Sequence, residues 1–106
     1  MDYSVEYLSY SDYRAFGGTL DIMPFNLFQS KAKANIDKLT LNRLQGKSDI
    51  PVEVKYCMYE LIEGMAFDGL YKDVDAVRKE DYVNNIIYDR LGSVVYEDKL
   101  LVSSVI

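Results

Sequence analysis

The chain has 106 residues, 49% apolar and 27% charged, which fits one globular domain with a core of limited size and argues against disorder. A net charge of -5 leaves no basic stripe for gripping nucleic acid, and the absence of histidine removes the commonest general acid–base group and metal ligand, so neither a Ser-His-Asp nor a Cys-His site can be built from this chain alone. The single cysteine cannot form an internal disulfide, no apolar run approaches the roughly 20 residues that span a bilayer, and the acidic start Met1-Asp2-Tyr3-Ser4-Val5-Glu6 is not expected to act as a signal peptide.

Ser11 is a good N-cap for a short first helix over Asp12 to Phe16, which Gly17-Gly18 would end. A second helix is predicted from Asp21, with Pro24 in its first turn, where a missing amide costs nothing. Phe25, Phe28, Ala32, Ile36 and Leu39 recur at three- and four-residue steps along it, and Lys31, Lys33 and Lys38 fall off that stripe. It is predicted to run to Leu44, with Gly46 as the stop.

Ser48-Asp49-Ile50-Pro51 reads as the cap and first turn of a third helix ending near Phe67. Val54, Cys57, Met58, Leu61, Ile62 and Met65 form its main apolar stripe, while Val52, Tyr56, Tyr59 and Phe67 fall on the opposite face. A helix with two apolar sides is either central in its own fold or covered by another molecule. After the polar stretch Asp68 to Asp75, a fourth helix spans Ala76 to Leu91, with Val83, Ile86, Ile87, Arg90 and Leu91 on one side and Asp75 and Lys79 at the favourable four-residue spacing. Val94-Val95-Tyr96 and Leu100 to Ile106 read as an extended apolar tail or a short strand, which packs back on the bundle or waits for a partner's sheet edge. The expected architecture is a single all-α bundle of about four helices, residues 1–106, with an extended apolar C-terminal tail.

No residue set reads as catalytic. Cys57 lies in the apolar stripe and is read as a small buried hydrophobe rather than a nucleophile. Asp37 follows a core isoleucine, with Lys33 one turn away, and is read as an ion pair or as a cap for the turn at Thr40. Glu60, Glu63 and Asp68 read as a solvated or lumen-facing acidic patch in preference to a metal site. The ten tyrosines divide between two readings, partial burial in a small core and enrichment at an interface, with Tyr56 and Tyr59 sharing a helix face.

The order and spacing of Tyr10-Ser11-Asp12-Tyr13, Gly17-Gly18, Ile36-Asp37-Lys38-Leu39-Thr40, Asn42-Arg43-Leu44 and Val54 to Glu63 resemble the head–tail connector proteins of tailed bacteriophages. Tyr82 to Leu91 and the Leu100-Leu101-Val102 ending extend the resemblance over nearly the whole chain, whereas the Ser-, Gly- and Tyr-rich segment of many relatives is replaced by the short acidic Asp68 to Asp75. The resemblance implies a virion neck component assembled in the bacterial cytoplasm. It would form a homo-oligomeric ring between the portal protein and the tail-side neck or tail-completion protein. DNA would be only passing cargo, with no catalysis, cofactor or membrane. A monomer in dilute solution is compatible with this, because the portal can template the ring. Val52, Tyr56, Tyr59, Phe67, Leu100, Leu101 and Val102 are the expected interface residues. The rival readings are a host or prophage helical interaction module forming a dimer, a small carboxylate enzyme, and a nucleic-acid binder.

Overall fold

Ser9, two residues before the predicted cap, starts the first helix: its hydroxyl accepts the amide of Asp12 at 3.1 Å. The computed structural model of the chain describes residues 6–67 and 76–102, without the side chains of 76–79. The helix, α1, covers Tyr10–Ala15. The earlier start serves two tyrosines that hold one stretch of backbone. The Tyr10 hydroxyl donates to the carbonyl of Leu20 at 2.8 Å, and the Tyr13 hydroxyl accepts the amide of Leu20 at 3.1 Å. The intervening turn depends on both predicted glycines, for different reasons. Gly17 sits at φ 110°, where side chains are strained, whereas a Cβ on Gly18 would lie 2.1 Å from the Tyr13 ring.

The helix α2, Ile22–Leu39, follows with Asp21 at its N-cap, and its core face is Phe25, Gln29, Ala32 and Ile36. It stops at Leu39, short of the predicted Leu44. Thr40 caps it, Leu41 takes φ 54°, and the amide of Asn42 reaches back to the carbonyl of Asp37 at 2.9 Å. That is a Schellman ending with leucine where glycine is usual, so the terminator carried no sequence signal. The left-handed backbone costs Leu41 roughly 1 kcal/mol. Leu44, fully buried, then anchors the turns that lead to Gly46 at φ 75°.

The helix α3, Val52–Phe67, ends where predicted but begins only after residues 48–51, which form no helical turn, and α4, Ala76–Leu91, has the predicted bounds. α3 packs against both α2 and α4. Val54, Cys57, Met58, Leu61 and Ile62 are fully buried, and Val83, Ile86, Ile87 and Leu91 of α4 close over them. The pair expected between Asp75 and Lys79 lies outside the described residues.

The C-terminal segment does not remain extended as far as it is described. Val95–Tyr96 (β1) and Lys99–Leu100 (β2) pair antiparallel, with Val95 opposite Leu100 and Tyr96 opposite Lys99. Glu97 and Asp98 both take positive φ, 51° and 69°, as a two-residue hairpin turn requires. Three polar fastenings among the described residues hold this hairpin, one of them the exposed Lys47–Glu97 ion pair at 3.1 Å. The Arg43 guanidinium donates to the carbonyls of Tyr96 and Leu100, and the Tyr96 hydroxyl donates to Asp49 at 3.1 Å. The chain then turns inward, and Leu101 and Val102 are buried.

Asp37 is more than a cap for its turn. Its carboxylate accepts the buried Tyr7 hydroxyl and, at 3.2 Å, the Gln45 side-chain amide. It thereby ties the N-terminal segment and the loop after α2 to one helix end. The Lys33 ammonium lies 5.1 Å above the Tyr7 ring.

The tight seat of Gly18 against Tyr13 is testable. Gly18→Ala must displace a fully buried ring and should destabilise the fold by about 1–3 kcal/mol, read from the denaturant midpoint; an unchanged midpoint would mean that the turn is not packed this way.

Candidate interaction surface

At 100° per residue, the side of α3 away from its buried stripe carries Val52, Tyr56, Tyr59, Glu63 and Phe67. Val52 is 51% exposed, Tyr56 52% and Phe67 56%. Three large apolar side chains therefore stand half in water along a helix whose other side is core. That is the unusual feature here, since isolated exposed hydrophobes are ordinary but an aligned set on one helix face is not.

Tyr59 belongs to a different group. Its ring lies 5.8 Å from Tyr13 and 5.8 Å from Phe16, and Phe16 in turn stacks on Tyr56 at 5.2 Å. α1 thus lays an aromatic cluster across the middle of the outer face, covering Tyr59 partly and leaving Tyr56 at its edge. Burial, reinforced by a hydrogen bond to Glu63, raises the Tyr59 hydroxyl above its usual pKa.

Beside Tyr56 the surface dips into an open recess of about 330 Å³, lined by Tyr56, Tyr59, Glu60, Glu63, Gly64 and Arg90. Arg90 holds Glu60 at 2.6 Å and ties α4 to α3. Both partners are substantially exposed, so this pair contributes at most about 1 kcal/mol. Asp68, the third member of the expected acidic patch, lies outside the described residues.

Of the other expected interface residues, Leu100 is exposed, at 51%, but Leu101 and Val102 are not available to a partner. The amide of Leu101 bonds the carbonyl of Val94 at 2.8 Å, and both side chains fill the core beneath the hairpin. Ile22, Met23, Leu27, Leu41 and Val95 are exposed apolar residues that were not anticipated; of these Met23 and Leu27, one turn apart on the outward side of α2, are 76% and 54% exposed. Their four-residue spacing opposite Phe25, Gln29 and Ala32 was the available signal.

Cys57 is fully buried, and burial, with Glu60 adding to it and Arg90 opposing, pushes its thiol up to about 12, so it carries no thiolate at neutral pH. Among the described residues, no three His, Cys, Asp or Glu side chains come together in a way that could hold a metal ion. Among them, also, no helix is long and apolar enough to cross a membrane.

No protein-family model matches the chain, and neither a curated protein nor a solved structure matches it at a significant level.

The buried tyrosines set an alkaline limit. Burial raises Tyr7, Tyr13, Tyr59 and Tyr96 above the ordinary 10.0, Tyr96 to about 12 with help from Asp49. The unfolded chain therefore loses these protons first, and stability is fully present below pH 10 and lost as pH rises through the folded values. Denaturant midpoints should fall between pH 9 and pH 11.5; a flat profile would show that these hydroxyls are not sequestered.

Proposed function

We propose that this chain is a viral structural adaptor of the tailed-phage connector type. It forms a ring under the capsid portal and offers its other end to a tail-side neck or tail-completion protein. Its work is association, and no chemistry is assigned to it. The observation that carries this reading is the half-exposed apolar ridge Val52, Tyr56 and Phe67 on the same helix that fills the core with its other side. The motif order from Tyr10 to Glu63 and the closing Leu100-Leu101-Val102 support the connector type, and the small helical fold suits it.

The energetics favour a ring over an isolated pair. Fully burying a large apolar side chain is worth about 1.5–3 kcal/mol, so covering three half-exposed ones gains only about 3 kcal/mol. Bringing two molecules together costs at least about 4 kcal/mol. A single junction resting on this ridge alone is therefore weak, and closure of a ring or templating by the portal makes the later contacts intramolecular. A net charge of -5 suits a channel component past which DNA must slide without sticking.

The test is sedimentation of the purified chain with a cognate portal ring. The wild type should co-sediment, and Tyr56→Asp should keep its helical circular dichroism, since Tyr56 is half in water, while losing co-sedimentation at least ~10-fold. Undiminished binding by the variant would remove this face from the interface. A stable dimer with no affinity for the portal would favour the helical interaction module instead.

A further inference from the structure

The outward side of α2 carries a second apolar ridge, Met23 and Leu27, and one turn further on is Lys31, exposed and without a carboxylate partner among the described residues. Ser30 and Ala34, also exposed, keep that side low. The only acid on α2 is Asp37, which is buried against Tyr7 and Gln45. The ridge is thus apolar with a basic end.

The outward side of α3 is its complement. Val52, Tyr56 and Phe67 are apolar and large, and between Tyr56 and Phe67 lies the recess with two carboxylates. Glu60 is held by Arg90, whereas Glu63 takes the Tyr59 hydroxyl and no cation among the described residues. The helices are also matched in length, 18 residues and 16, or roughly 27 and 24 Å.

From these two ridges we infer that the occupant of the α3 ridge is the α2 ridge of a second copy of this chain. Met23 and Leu27 cover Tyr56 and its apolar neighbours, and Lys31 enters the recess to meet Glu63. This rests on the ring-forming reading and names its two faces. Charge decides against the symmetric alternatives. An α3-to-α3 contact would bring the Glu63 carboxylates of two copies together, and an α2-to-α2 contact would set Lys31 against Lys31; like charges across an interface cost affinity. Since the two ridges lie on different helices, the contact is heterologous. Each copy keeps one free ridge of each kind, and association runs head to tail until it closes.

The experiment uses two variants of the full chain, Leu27→Asp and Tyr56→Asp. Both residues are more than half exposed, and circular dichroism checks that both variants fold. By analytical ultracentrifugation near millimolar concentration, the wild type should form species larger than a dimer, and each variant alone should associate at least ~10-fold more weakly. An equimolar mixture of the variants should give a heterodimer and nothing larger, because only one intact α3 ridge and one intact α2 ridge remain. Leu27→Asp associating like the wild type, no heterodimer in the mixture, or a wild type monomeric at millimolar concentration would each overturn the inference. A chain that is monomeric there yet binds the portal leaves the adaptor reading standing. Head-to-tail multimers without portal affinity sink that reading and leave this one.

Discussion

One constraint governs this molecule: α3 is apolar on two sides, and the bundle covers only one. Its inner stripe, Val54, Cys57, Met58, Leu61 and Ile62, is sealed completely by α2 and α4. A helix is about 10 Å across, and neighbours packed on one side cannot reach the other. α1 reaches partly around, through Tyr13 and Phe16, and takes Tyr59 partly out of water. Val52, Tyr56 and Phe67 are left half exposed. Polar residues would be the stable choice there for a chain acting alone, so the outer face is the natural place to look for what this protein does.

The irregular parts of the chain give that face a fixed frame. Three segments that lack long helices of their own converge near the end of α2. The N-terminal segment is fastened through Tyr7 to Asp37, the loop after α2 through Gln45 to the same carboxylate, and the hairpin through Arg43 and Asp49 to that loop. Buried hydrogen bonds of this kind contribute modestly when formed but cost more when one partner is lost, which makes them effective at fixing a single arrangement. Polar fastening at one region and apolar packing elsewhere leave the outward ridges of α2 and α3 on rigid helices.

The helical parts were legible because hydrophobic periodicity reports burial directly. The bounds of α4, the end of α3 and the stripe of α2 follow from it, as does the opposition of Val52, Tyr56 and Phe67 to the core. What remained hidden was set by tertiary contact or by residues in unusual roles. α2 ends at Leu39 because Leu41 accepts a left-handed backbone that sequence rules reserve for glycine. The hairpin turns on Glu97 and Asp98, which lack the usual asparagine–glycine signal, so the sequence left open whether Leu101 and Val102 pack back on the bundle or meet a partner, and they are core. Ser9 and Ser11 are equally good caps locally, and the choice falls to the one that lets Tyr10 and Tyr13 both grip Leu20. Tyr59 shares a helix face with Tyr56, and only the docking of α1 separates their roles.

The most direct test of the central claim is hydroxyl-radical footprinting of the free chain and of the chain assembled on a portal ring. Val52, Tyr56 and Phe67 should react readily in the free chain and lose most of that reactivity on assembly, while buried Tyr13 stays unreactive in both. Assembly that leaves all three as reactive as before would contradict the claim that the outer side of α3 is where this protein meets its partners.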